Sequence, residues 1–254
     1  MKCSAILVVF SLFVMGACRT ETDSPVQGKE NPAAPGFDLN NSDPAAIELA
    51  DSVMAAMGGR GQWDATRFIS WDFGPRKLTW DKKMDRVRIE SSRDTAIYLV
   101  NLSALSGRVS IKGQELTEPD TLATMLKRGK SMWINDSYWL VMPFKLKDTG
   151  VTLKYVGEDT LKTGGKSNVL ELTFDNVGDT PQNKYLVYVD LNDNLVKQWA
   201  YYREASQDSA NFVRPWDNYQ KYGGILLSGD RSDGGGPKNV QVYETLAEET
   251  FTEF

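Results

Sequence analysis

The side chains that most often carry out chemistry are scarce in this chain, and the scarcity limits which reactions are open to it. There is no histidine. That removes the commonest general base, the Ser–His and Cys–His nucleophile pairs and most zinc sites. Cys3 and Cys18 are the only cysteines. Asp190-x-Asn192-x-Asn194 begins like a calcium loop, but the sixth place is Leu195 and the twelfth is Tyr201, where glycine and glutamate are needed. A tight hairpin turn fits better. Gly164-Gly165-Lys166-Ser167 ends like a phosphate loop, yet the first glycine of that motif would fall at Thr160. It too reads as a hairpin turn. Asp230 and Asp233 lie in a glycine-rich stretch and read as a solvated loop. The carboxylate pairs Asp81/Asp85 and Glu248/Glu249 have no spacing that points them into one cleft, and they read as surface charges. The expectation is therefore no catalytic residues, no metal and no cofactor. A histidine-free hydrolase built from Asp, Glu, Lys, Tyr or Ser is the remaining enzymatic alternative.

What the chain does have is aromatic side chains at strand spacing. Trp71, Trp80, Tyr98, Trp133, Trp139, Tyr188 and Trp199 sit mostly at strand spacing, with Phe73, Tyr138, Phe144 and Tyr201 beside them. Such residues line pockets for apolar ligands, and they equally fill ordinary cores. Met125 and Met142 adapt to flexible ligands and also serve as core filler. With Leu122 and Leu126 they complete the set of candidate ligand-contacting residues.

The N-terminal residues carry a different chemistry. Lys2 gives a short basic start, and residues 5–15 are almost wholly apolar. That run is too short to span a bilayer as a helix and suits the h-region of an export signal. Met15-Gly16-Ala17-Cys18 follows and resembles the lipobox of bacterial lipoproteins, with Met in place of the usual Leu. The resemblance implies cleavage before Cys18 and diacylation of its thiol, so that Cys18 carries the membrane anchor. Each buried acyl methylene adds about 0.8 kcal/mol to the anchoring. Residues 1–17 are then a signal peptide, and residues 18–42, polar and aperiodic with several prolines, a flexible tether. Arg19 does not match the Asp that retains lipoproteins in the inner membrane of some bacteria, which favours the outer membrane, facing the periplasm.

The elements that must position the aromatics occupy residues 43–254. Asp43 as N-cap and Pro44 at the first helical position start a helix that Gly58-Gly59 stops. After Trp63 the apolar period changes to two, in Leu78/Trp80, Val87/Ile89, Ala96/Tyr98/Val100/Leu102 and Val109/Ile111. Thr117-Glu118-Pro119-Asp120 opens a second helix, with Leu122, Met125 and Leu126 as its stripe and Met132-Trp133 at its end. Strands are expected at 138–142, 151–156, 169–174, 185–191, 195–202, 212–222, 225–228 and 240–246. Strands in succession imply antiparallel pairing, and about a dozen of them must curl or close. The predicted fold is mainly β with two helices: one curled antiparallel sheet, a half-open barrel, whose concave face the helices cover.

Three segments carry a family resemblance: residues 78–90 (LTWDKKMDRVRIE), 132–155 (MWINDSYWLVMPFKLKDTGVTLKY) and 185–199 (YLVYVDLNDNLVKQW). Together they resemble an uncharacterised family of Bacteroidota lipoproteins, over most of residues 43–254. Its architecture is similar to the LolA/LolB-like lipoprotein-sorting carriers. That likeness implies a half-open barrel lidded by helices, with acyl chains held inside. It brings no catalytic motif and no binding residue position by position.

Charge adds one exclusion. The formal net charge is −5 without any basic run, so nucleic acid is not an expected partner. Two functions remain in front. One is an anchored module that binds a lipid, an acylated molecule or another apolar ligand without catalysis. The other is a structural lipoprotein with a filled core that docks on an envelope protein. A hollow interior separates them.

Overall fold

The computed structural model describes residues 31–254; the expected signal, Cys18 and the tether as far as residue 30 lie outside them. The first helix is α1 (Pro44–Ala56), which buries Ala46, Leu49, Ala50, Val53 and Met54. Asp43 stands at its N-cap, but the Asp43 carboxylate accepts from the Tyr155 N–H at 3.0 Å instead of capping the helix. Gly58 and Gly59 take positive φ and let the chain turn into the short α2 (Arg60–Ala65).

Six strands then follow as a meander: β1 (Phe68–Phe73), β2 (Arg76–Asp81), β3 (Arg86–Ser91), β4 (Ala96–Asn101), β5 (Ser106–Ile111) and β6 (Gln114–Glu115). All pair antiparallel, in the order β14-β1-β2-β3-β4-β5-β6, where β14 is Lys238–Tyr243 near the chain's end. A second sheet contains β7 (Val151–Thr160), β8 (Lys166–Phe174), β9 (Lys184–Asp190), β10 (Val196–Tyr202) and β11 (Phe212–Pro215), in the order β11-β10-β9-β8-β7. A hairpin, β12 (Tyr219–Tyr222) with β13 (Ile225–Ser228), completes the strands, and α4 (Glu249–Thr252) follows β14. The fold is mainly β, antiparallel and not closed into a barrel. It is split into two sheets and a hairpin where one continuous sheet was expected. Asp190 Oδ1 accepts from Asn192 N and Asp193 N, so the calcium-like stretch is the turn between β9 and β10.

The long helix between the sheets, α3 (Pro119–Val141), corrects the sequence reading. The strand expected at 138–142 is the helix's last turn and the start of a 3-10 turn, Met142–Lys145. Tyr-Trp-Leu-Val-Met has strand-type residues, but Leu126, Gly129, Asp136, Ser137 and Leu140 are buried at helical spacing, and packing overrides propensity. Glu118, not Thr117, caps the helix, accepting from the N–H groups of Asp120 and Thr121. Gly129 lets α3 approach the first sheet: a Cβ there would lie 2.9 Å from Val100 Cγ2 and 3.3 Å from Tyr98 Cδ1. Arg76 on β2 forks onto the fully buried Asp136 with bonds of 2.6 and 2.8 Å. That pair ties the helix to the sheet away from its apolar contacts.

One hydrophobic core runs through both sheets and beneath α3. The outer face of the first sheet is covered by the C-terminal residues: Phe251 stacks on Phe68, and Arg86 grips Glu248. Asp81 on that side is fully buried, not a surface charge, because Arg67 and Arg86 both bond it. These bonds hold its carboxyl below the usual range despite burial.

Residues 31–42 also differ from a free tether. They run along the open edge of β7, with Ala34 N donating to the Lys147 carbonyl and Asp38 N to the Val151 carbonyl. Phe37 is buried in the core, and the buried Lys147 ammonium donates to the Asn31 carbonyl and to Asp51. An edge strand needs such cover, and the proline-bearing composition of the segment masks its one core residue. A chain starting at Asp43 is therefore expected to be less stable than one starting at Asn31. Phe37 alone accounts for about 1.5–3 kcal/mol. Urea midpoints of the two chains check this; equal midpoints would show that the segment adds nothing.

Candidate functional site

Where α3 leaves the first sheet, its C-terminal half stands over the inner face of the second and leaves a cleft of about 550 Å³. The size lies within the range of small-molecule sites. Trp133, Tyr138 and Trp139 enter it from α3, Phe174 from β8, Tyr185 from β9 and Trp199 from β10. Alternation along the strands decides this. Val187 and Val189 face the core, so Tyr185 does too, while Tyr188 falls on the opposite face in a smaller cluster with Val169 and Tyr202.

The rings are packed against one another. Tyr185 stacks on Trp199 at 5.1 Å with planes 6° apart, and Trp139 meets Trp199 edge-on at 4.6 Å. Tyr138 lies 5.5 Å from Tyr185 and 6.3 Å from Phe174. Burial pushes the Tyr185 phenol up to about 12 and the Tyr138 phenol well above its ordinary value. Both stay protonated at neutral pH. Trp133 Nε1, Tyr138 Oη and Trp199 Nε1 are buried without a hydrogen-bond partner among the described residues.

The polar rim has two lips. One is Lys145 to Thr149, where Lys145 pairs with Asp148. The other is the β8–β9 connection, with Val177, Gly178, Asp179 and Thr180. Ser131 on α3 donates to Asp179 and bridges helix to rim. Val177 packs on Gly150, which has φ +73° and where a Cβ would lie only 2.5 Å from Val177 Cγ1. The charged groups of the lining, Lys145, Asp148 and Asp179, are thus all engaged with neighbours. The arrangement can enclose an apolar body; it does not aim a nucleophile and a base at one point. Among the described residues no three His, Cys, Asp or Glu side chains gather as a metal site.

The sequence candidates divide into three groups. Trp133, Trp139 and Trp199 line the cleft. Trp71, Trp80, Tyr98, Leu126 and Met142 belong to the packed core, and Leu122 and Met125 lean on it from α3. Tyr188 lies on the outer face of the second sheet. The space beneath Leu122, Met125 and Leu126 is occupied by side chains of the first sheet, and the hollow lies further along the helix, from Ser131 to Trp139. Phe174 and Tyr185 were not among the candidates. The parity of Val187 and Val189 was the signal for Tyr185.

No family model matches the chain, and no curated protein matches it. Solved structures do show likeness. One is a DUF1329 family protein from Desulfovibrio piger, 14% identical, with TM-score 0.44 over 84% of this chain and 98% of that one. A second is a putative outer membrane lipoprotein-sorting protein domain from Vibrio parahaemolyticus, 12% identical, with TM-score 0.40 over 82% and 96%. A third is a LolA superfamily protein from Nitrosomonas europaea, 11% identical, with TM-score 0.41 over 82% and 97%. At these scores the likenesses carry no functional weight, and the site speaks through its own geometry.

Proposed function

We propose that this chain is a lipoprotein of the cell envelope, anchored through Cys18, whose aromatic cleft binds a lipid-like or other apolar ligand without catalysis. The observation that carries the reading is the half-open cleft of about 550 Å³ walled by six aromatic rings. A structural protein with a filled core would have no reason to leave it. The absence of histidine from the chain and the engaged charges of the rim support a binding role. The lipobox-like sequence before Cys18 supports the anchor, and Arg19 supports the outer membrane, with the domain in the periplasm.

Two measurements test it. Purified residues 31–254 are expected to bind an environment-sensitive apolar dye, and fatty acid should displace it. The variant Trp139→Ala should change the dye affinity more than Leu126→Ala, because only Trp139 lines the cleft. No dye binding would leave the docking lipoprotein as the better account. Separately, Cys18→Ser is expected to abolish acyl labelling and to release the protein from membranes. Retention of that variant after a salt wash would place the anchor elsewhere.

A further inference from the structure

The segment that leads out to Cys18 is fixed against the rim of the cleft. Thr149 donates to the Pro35 carbonyl at 2.7 Å, Gly150 N to the Gly36 carbonyl at 2.8 Å, and Ala34 N to the Lys147 carbonyl at 2.9 Å. Asp148 faces the cleft on one side and the small hollow containing Asn31 and Pro32 on the other. Thirteen positions separate Cys18 from Asn31, which reach about 45 Å at full extension. The outer face of the first sheet, with α4, lies on the other side of the molecule.

From this juxtaposition we infer that the mouth of the cleft faces the bilayer that holds the anchor and exchanges ligand directly with it. The inference rests on the reading of Cys18 and of the cleft given above. The partner is a lipid surface, for two reasons. The anchor enters the fold at the rim. Leu39, on the same segment, is 57% exposed, an apolar side chain without cover. A short tether raises the local concentration of bilayer ligand at the mouth without any new contact.

The mature chain, residues 18–254, has a single thiol, Cys18. That thiol can be coupled to a maleimide-headgroup lipid in phosphatidylethanolamine/phosphatidylglycerol vesicles. Amide hydrogen exchange at 145–151 and 175–180 is expected to slow severalfold on the vesicles, with β3 and α4 unchanged. Protection of the outer face instead, or no protection of the rim, would overturn the inference. A second protein, Cys18→Ser with Glu253→Cys, anchors the opposite side, since Glu253 lines hollows of the outer face. Loading of an apolar dye from the vesicle should then fall severalfold while dye binding in solution is unchanged. Equal loading from both anchors would also overturn it. Failure of the dye to bind in solution defeats the cleft reading alone, because the exchange experiment still decides which side meets the bilayer. Rim protection that appears only with a protein added, and not on vesicles, would point to a protein partner and count against the inference.

Discussion

Arg76→Ala is expected to destabilise the domain by about 3–5 kcal/mol, because it strands a buried carboxylate. Asp136 has no exposed side-chain surface, and both its oxygens take bonds from the Arg76 fork. Asn135 adds one more donor at 2.9 Å, which cannot neutralise the charge. The Asp136 bonds raise the Arg76 pKa above its ordinary value, so the guanidinium stays charged throughout the physiological range. Removing both charges is a different perturbation. Arg76→Met with Asp136→Leu should recover most of the loss, since a well-packed apolar pair often replaces a buried ion pair at no cost. Denaturant midpoints of the two single variants and the double variant give the coupling. If Arg76→Ala alone costs less than about 1 kcal/mol, the typical worth of an exposed pair, the carboxylate is reaching water and α3 is not clamped at this point.

The same clamp shows where the sequence was readable and where it was not. Asp43-Pro44 and Gly58-Gly59 bracket α1 because start and stop signals are local chemistry. Strands β2 to β5 were legible because their core residues recur every second position, as in Leu78/Trp80, Val87/Ile89 and Tyr98/Val100. The C-terminal half of α3 was not, because Tyr138, Trp139 and Val141 have strand propensity. What makes them helical is packing at helical spacing against distant parts of the chain, including Arg76, 60 residues away in sequence, which meets Asp136. No local pattern marks such a pair. The docked residues 31–42 were hidden for a related reason: Phe37 is one apolar residue in a polar run, and its place in the core depends on the free edge of β7.

The cleft follows the same division. Its tryptophans were legible as a type, since large aromatics in strands and on a helix stripe must face something apolar. Which of them face a hollow was not. Tyr98, Trp80 and Trp133 are similar in sequence context, yet Gly129 brings α3 tightly onto Tyr98, whereas the helix stands off the second sheet at Trp133 and Trp139. The difference comes from the sheet being split in two, with α3 joining β6 at the end of one sheet to β7 at the end of the other. Cys18 was the reverse case: its reading is purely local, and it gained nothing from the fold.

Trp199→Ala should have an effect as large as the loss of Arg76, and it reports on the cleft directly. The Trp199 ring is 1% exposed. It is stacked on Tyr185, is met edge-on by Trp139, and meets Trp216 edge-on at 5.4 Å. Truncating a buried tryptophan costs about 3–5 kcal/mol, the upper end applying where neighbours cannot close the space. Here collapse is hindered on two sides. Tyr185 is held in β9 between Phe174 and Tyr201, and Trp216 is held by the buried Arg231 lying 3.7 Å over its ring. The space should therefore stay open and join the cleft. Two signs are expected together: a fall of several kcal/mol in unfolding free energy, and a change in which apolar ligands bind, longer or bulkier ones gaining relative to short ones. Trp199→Phe should keep most of the stacking on Tyr185 and lose less. It also removes the partnerless Nε1 donor, whose burial itself is unfavourable. Chemical denaturation with dye displacement by fatty acids of graded length separates the two signs. A large stability loss with an unchanged ligand profile would mean that Trp199 is core and that the cleft ends short of it. A changed profile would mean that the ring forms the floor on which the ligand rests.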